Sequence, residues 1–308
     1  EPIAICAGDL TVSLGGSGIA RLLASDVDKG SRDNCGMVDL SVRRQLSESC
    51  LAAYVSAVYG LPLDALERNG ADYFLDGAPV AYATDGYYQT PWAEEVFLSC
   101  CDAGQTVFLD LRVQDAAGNA NRCAVSVAVE DKLPPLVQAP SDREVWCDDL
   151  AGLDLRDTLT LQARFGQATA SDNCRAWTRE LETVLAFDDC GIGLITRRFQ
   201  AVDASGNLSA VPQQHIQVSA RHDYVLRFPA DAEIRQCRPT AADSLRYETN
   251  ACDFLAINVE EETFREEGGA CRRIFRTYRI INWCEYDNES DPVVIGRRED
   301  EAAPPGTA

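Results

Sequence analysis

The stretch "FQAVDASGN" (Phe199–Asn207) has a near-copy upstream in "VQDAAGN" (Val113–Asn119). In both, an apolar run meets Asp, two small residues, Gly and Asn. As a site, the Asp would be a base or a metal ligand. As a turn, Asp caps its own backbone and Gly supplies the left-handed residue that a short hairpin needs. The flanking residues favour the turn. Val107, Leu109, Leu111 and Val113 alternate with Phe108, Asp110, Arg112 and Gln114, and Cys123, Val125, Val127 and Val129 alternate in the same way. Period-2 alternation marks strands with one buried face.

The repeat extends beyond the turn. Ile195, Arg197, Phe199, Ala201 and Asp203 match Ile274, Arg276, Tyr278, Ile280 and Asn282 position by position, two apart, on one strand face. An Asx-Cys landmark lies upstream of each copy, in "SRDNC" at Cys35, "ASDNC" at Cys174 and "ETNAC" at Cys252. Cys35 and Cys174 are 139 residues apart but Asp115 and Asp203 only 88, which places an insertion in the first copy, at about 50–101. "EDKLPP" (Glu130–Pro135) and "SARHDY" (Ser219–Tyr224) read as linkers. The expected fold is all-β: three tandem immunoglobulin-like sandwiches at 1–132, 133–221 and 222–308, the last diverged and ending in a polar, Pro-rich tail.

Bulk properties narrow the function. Over 308 residues the apolar fraction is 46% and the formal net charge −21. Nucleic acid, bound by basic surfaces, is not an expected partner. No apolar window is long enough to span a bilayer, so membrane insertion is not expected. Glu1 opens no leader peptide, so a mature product, a trimmed chain or an internal fragment is expected. Thirteen cysteines are spread along the whole chain without metal-site spacing, and there are two histidines. That usage fits a disulfide framework in an oxidising, extracellular compartment, with at least one thiol left over.

On these landmarks the chain resembles the hyalin-repeat (HYR) immunoglobulin-like module. "SDNC…CG…ITRRFQAVDASGN" is similar to its Thr/Ser-Asp-Asn-Cys, Ile-x-Arg-x-aromatic strand and Gly-Asn turn. "EPIAICAGDLTVSL…VQDAAGNANRCAVSVAVED" is similar to repeats of very large secreted surface proteins of Bacteroidota, and "CRRIFRTYRIINWCEYD" to a module found beside them. The resemblance covers most of the chain outside the insertion. It implies a cell-surface location, type IX secretion, and a role as spacer, adhesin or filament part.

Aligning the copies gives expected disulfides. These are Cys6–Cys123, Cys35–Cys100 and Cys50–Cys101 in the first copy, Cys174–Cys190 in the second, and Cys252–Cys271 and Cys237–Cys284 in the third. The swapped set, Cys35–Cys101 with Cys50–Cys100, stays open. Ser205 stands where the third copy has Cys284, so Cys147 is left unpaired, as a buried thiol or an intermolecular link.

Candidate sites follow from composition. The insertion holds Tyr54, Tyr59, Tyr73, Tyr82, Tyr87, Tyr88 and Trp92. Its rings either close a local core or form a contact surface for a glycan or protein, centred on 51–98. Asp26, Asp28 and Asp33 form the densest acidic loop and the candidate calcium site, and calcium is the second reading of the Asp-x-x-Gly-Asn turns. No cofactor is required. Arg197 and Arg276 face inward and call for carboxylate partners, such as Asp172 for Arg197. In Bacteroidota, Asp157-Thr158-Leu159 and Asp243-Ser244-Leu245 resemble O-glycosylation sequons, which would make Thr158 and Ser244 acceptors. No catalytic motif is found, and an enzyme is not expected. The expected role is mechanical and adhesive: a rigid extracellular rod, a filament subunit or adhesin stalk that associates with itself or with neighbouring modules. The alternative is a ligand-binding module.

Overall fold

Strand after strand ends at a glycine or Asx turn. In chain order they are β1 (Leu10–Ser13), β2 (Ile19–Leu23), β3 (Val38–Leu46), β4 (Glu67–Asn69), β5 (Asp72–Leu75), β6 (Ala78–Thr84), β7 (Tyr87–Gln89), β8 (Glu95–Ser99), β9 (Thr106–Asp115) and β10 (Ala120–Glu130). Then come β11 (Leu136–Gln138), β12 (Arg143–Trp146), β13 (Thr169–Ser171), β14 (Ala176–Phe187), β15 (Gly193–Asp203), β16 (Gln213–Ser219), β17 (Val225–Arg227), β18 (Arg246–Glu248), β19 (Leu255–Arg265) and β20 (Arg272–Asn282). Among the described residues three α-helices interrupt them, α1 (Ala24–Val27), α2 (Glu48–Tyr59) and α3 (Thr158–Phe165), besides short 3-10 turns. This computed structural model describes residues 1–34, 36–231, 244–265 and 272–294. The chain is all-β, built of immunoglobulin-like sandwich segments in tandem, as the alternation implies.

By contacts it falls into two compact units. One comprises Glu1–Ala139, Ala168–Leu181 and Phe199–Pro212, and the other Pro140–Gln167, Glu182–Arg198 and the described residues from Gln213 on.

In the first unit, β3, β9 and β10 pair antiparallel, and β1 adds to β10 in parallel, with Leu10 opposite Val127. β2 and β8 form a separate pair. Between the sheets Val107, Leu109, Leu111, Val113, Val125, Val127 and Val129 meet Leu14, Leu22, Val42, Val96 and Leu98, all buried. Each such side chain contributes about 1.5–3 kcal/mol on burial. Both repeated turns close by the same bonds. Asp115 Oδ1 accepts from Ala117 N and Asn119 N, and Asn119 Nδ2 donates to Asp115 Oδ2 at 2.8 Å. Asp203 Oδ1 accepts from Ser205 N and Asn207 N, and Asn207 Nδ2 donates to its Oδ2 at 2.7 Å. Gly118 and Gly206 take φ of 89° and 91°, the left-handed region that side chains avoid.

In the second unit, Leu161 and Phe165 of α3 pack on Ile195, Ile216 and Val218. Asp157 caps α3, its Oδ2 accepting from Thr160 N at 2.9 Å and Thr160 Oγ1 at 2.6 Å. β19 and β20 form an eleven-residue antiparallel ribbon.

The disulfides keep two of the expected pairings, Cys6–Cys123 and Cys50–Cys101, and correct the rest. Cys6 is bonded to Cys123 and Cys50 to Cys101, with Cα–Cα distances of 5.9 and 5.6 Å. Cys100, expected to bond Cys35, is bonded to Cys174 (Cα–Cα 5.4 Å). Cys174 therefore does not bond Cys190, which is bonded instead to Cys284 (5.6 Å), and Cys284 does not bond Cys237. Cys147 is not unpaired: it bonds Cys252 (5.8 Å), which excludes Cys252–Cys271. These separations lie within the usual disulfide range. Pairing within a copy failed for Cys100, Cys147, Cys174, Cys190, Cys252 and Cys284 because they sit in turns and loops, where the near neighbour belongs to another copy. Cys35, Cys237 and Cys271 lie outside the described residues.

Candidate functional site

The insertion begins where β3 outruns β9. Val38–Arg44 pair with β9, while Gln45 and Leu46 pair with β7. β7, β6, β5 and β4 then continue the sheet in that order. α2 buries Leu51, Tyr54 and Val55, one helical face, on Leu46, Leu66, Val80 and Ala81. Gly60 ends the helix at φ 69°, and Cys50–Cys101 ties its first turn to the short turn between β8 and β9.

Beneath α2 lies an ion pair that strand patterning does not reveal. Arg44 is 1% exposed and Asp102 4%. Arg44 Nη1 and Nη2 donate to Asp102 Oδ2 and Oδ1 at 2.9 and 2.5 Å, and Nη1 also donates to Phe97 O. Asp102 Oδ2 further accepts from Ser99 N and Ser99 Oγ. The Arg44 guanidinium also faces the Tyr54 ring at 5.3 Å, and burial pushes the Tyr54 phenol up, out of the usual tyrosine range. Sequence offered only a faint signal, an Arg on an inward position of β3. Its partner is 58 residues away.

The aromatic residues of the insertion divide. Tyr54 is core, and Tyr73 and Tyr88 pack edge-to-face at 5.8 Å against the same cluster. Tyr59 and Tyr82 are partly open, at 36% and 40%. Trp92 gathers cations: the guanidinium carbons of Arg43, Arg112 and Arg122 stand 4.5, 5.0 and 5.4 Å from its ring centre. Arg43 also pairs with Asp110 at 2.8 Å, and Arg112 donates to Ser41 Oγ at 3.0 Å. An indole set among guanidiniums can take a carboxylate or sulfate by paired hydrogen bonds while the ring stacks on an apolar or sugar face.

Other expected sites resolve differently. Asp26 Oδ2 caps Leu23 N at 2.8 Å, and Asp28 accepts from Gly30 N and Ser31 N. Among the described residues Asp26, Asp28 and Asp33 do not bring three oxygens together, since their loop turns each carboxylate toward local backbone or the chain start. Arg197 is fully buried, and its Nη1 donates to Gln214 Oε1 at 2.8 Å and Gly166 O at 3.1 Å. Arg276, on the open ribbon, donates to Glu261 at 2.7 Å. Thr158 and Ser244 are exposed; Asp243 lies outside the described residues. A cleft of about 460 Å³ in the second unit is lined by Asp188, Asp189, Phe254, Trp283 and the Cys190–Cys284 bond. Asp188 Oδ1 there accepts from Cys190 N and Ile192 N, capping the turn.

No family model and no curated protein matches the chain. Solved structures resemble it distantly. Human CDH23 EC21-23 is 11% identical, covering 84% of this chain and 83% of that one with a TM-score of 0.32. Mouse Cadherin-23 EC22-24 is 12% identical, covering 83% and 80%, with a TM-score of 0.29. The fibronectin(III)-like modules of Clostridium thermocellum CbhA are 12% identical, covering 71% and 95%, with a TM-score of 0.20. Likenesses this distant carry no functional inference. Among the described residues no helix is long and apolar enough to cross a membrane.

Proposed function

We propose that this chain is an extracellular structural and adhesive protein: three β modules, 1–132, 133–221 and 222–308, forming a rigid rod within a filament or adhesin stalk. The observation that carries this is the covalent stapling. Cys100–Cys174, Cys147–Cys252 and Cys190–Cys284 each join cysteines on opposite sides of a linker, at 130–135 or 219–224. Such bonds persist in oxidising compartments, and bonds across a linker restrict hinge motion between modules. The resemblance of its landmarks to hyalin-repeat modules of Bacteroidota surface proteins is in keeping with this role, as are exposed acceptor hydroxyls at Thr158 and Ser244 for surface glycosylation.

Self-association has a surface to use. One face of the β19–β20 ribbon carries Leu255, Ile257 and Val259 with Ile274, Tyr278 and Ile280, and Val259 and Ile274 are 45% and 44% exposed. Electron microscopy of native material tests the assembly, and material holding only isolated single chains sinks the filament role. Small-angle scattering before and after reduction tests the stapling: the reduced chain, still folded by circular dichroism, must sample a wider range of dimensions.

The second reading is ligand binding through the insertion, favoured by the Trp92 cluster with its three arginines in a chain of charge −21. A glycan array rich in sulfated and uronic sugars, run with wild type and Trp92→Ala, separates the two. Binding that Trp92→Ala abolishes supports the ligand module, and no binding by wild type removes it.

A further inference from the structure

Three loops of the first unit bring acids to one point. Asp131 follows β10, Asp172 follows β13 and Asp203 ends β15. Each presents a carboxylate oxygen within 4.8 Å of the other two. Two oxygens on opposite sides of a calcium ion, at about 2.4 Å each, are about 4.8 Å apart, so this spread fits one shared ion. Asp131 and Asp203 are 6% and 3% exposed. Among the described residues no Arg, Lys or His makes an ion pair with any of the three, and Lys132 pairs with Glu130 instead.

The hydrogen bonds leave part of the cluster unsatisfied. Asp131 Oδ1 accepts from Leu133 N at 3.2 Å and Asn173 Nδ2 at 3.1 Å. Asp131 Oδ2 is buried and accepts nothing. The Oδ1 of neighbouring Asn173 is likewise buried and without a donor. Asn207 fixes the arrangement, donating from Nδ2 to Asp203 Oδ2 and to Asp131 O at 2.9 Å. Buried carboxylate oxygens without donor or counter-charge are costly, and a bound cation satisfies them directly.

We propose that Asp131, Asp172 and Asp203 hold a calcium ion that ties the linker after β10 to the turns following β13 and β15. The donors are all oxygen and come from loops of unequal geometry, which suits calcium's flexible coordination better than magnesium's octahedron. The placement gives the Asp-x-x-Gly-Asn turn a second role. Asp203 caps its own hairpin and also presents a carboxylate to the linker. The first-copy turn at Asp115 is not among the described groups of three acids close enough to share an ion.

The test uses the full oxidised chain, stripped with chelator and titrated with calcium chloride alone by calorimetry and thermal melting. Variants are Asp131→Asn, Asp172→Asn and, as a control, Asp28→Asn. The expected result is saturable binding of one ion at this site, weakened at least tenfold by Asp131→Asn and by Asp172→Asn and unchanged by Asp28→Asn. Calcium should also raise the wild-type melting temperature and leave that of Asp131→Asn unmoved. No binding by wild type at millimolar calcium overturns the proposal. So does binding that Asp131→Asn and Asp172→Asn leave intact, or that Asp28→Asn removes. If stripped Asp131→Asn is more stable than stripped wild type yet wild type takes up no calcium, the acids share a proton instead, and the proposal fails.

Discussion

Replacing Asp102 by Leu leaves the Arg44 guanidinium buried without its counter-charge. Two charge-assisted bonds from Arg44 disappear, along with the two that Ser99 makes to the same carboxylate. Because Arg44 is 1% exposed, water cannot replace them without opening the structure. Breaking one side of a buried pair costs about 3–5 kcal/mol, whereas replacing both partners by apolar groups is often close to neutral. Asp102→Leu and Arg44→Met should therefore each cost about 3–5 kcal/mol, and the double variant less than either. The chain has more than one unit, so a single melting curve does not isolate this effect. Hydrogen exchange resolved to peptides covering β3 and α2 does. Exchange there should accelerate by about two to four orders of magnitude in each single variant, following about 1.4 kcal/mol per decade. Costs below about 1 kcal/mol in the singles, typical of exposed pairs, would refute the reasoning. So would a double variant showing the sum of both.

Peptide mapping without reduction should recover Cys100–Cys174, Cys147–Cys252 and Cys190–Cys284, and recovery of Cys174–Cys190 would reinstate pairing within the copy. Gly18 has φ +72°, and a Cβ there would lie 2.6 Å from Cys100 Sγ and also meet Asn173 O. Gly18→Val should hinder closure of Cys100–Cys174, read as two additional titratable thiols under denaturing conditions. The Asn119 side-chain bond, followed by backbone bonds from Asn119 and Ala117, holds the Asp115 carboxyl below its usual 3.8. A depressed folded value means the turn's contribution is complete above the unfolded value and is lost as pH falls through the folded one. A carbon-detected NMR titration should place Asp115 below the usual value in wild type and higher in Asn119→Ala.

The strands and repeated turns were legible because their causes are local. Val107 to Val113 alternate whatever the fold, and Asp115 and Asp203 reach only two to four residues along the chain for their partners. The insertion was legible as a change of spacing between two landmarks. Whether its rings formed a core was not, because Tyr54 is buried and Tyr82 exposed only through the way α2 and the strands of the insertion pack on one another. The disulfides show the limit most clearly. Internal alignment says which cysteines are equivalent, not which are near. The bond from Cys100 to Cys174 depends on a loop 74 residues away arriving beside Gly18. Arg44 with Asp102, and Asp131 with Asp172 and Asp203, belong to the same class. By itself the sequence determined an all-β chain of repeated, Asx-capped hairpins, since alternation and turn chemistry act over a few residues. Only the tertiary structure decided which charges meet and which thiols bond between copies, because those distances are set by how separate sheets and loops close on one another.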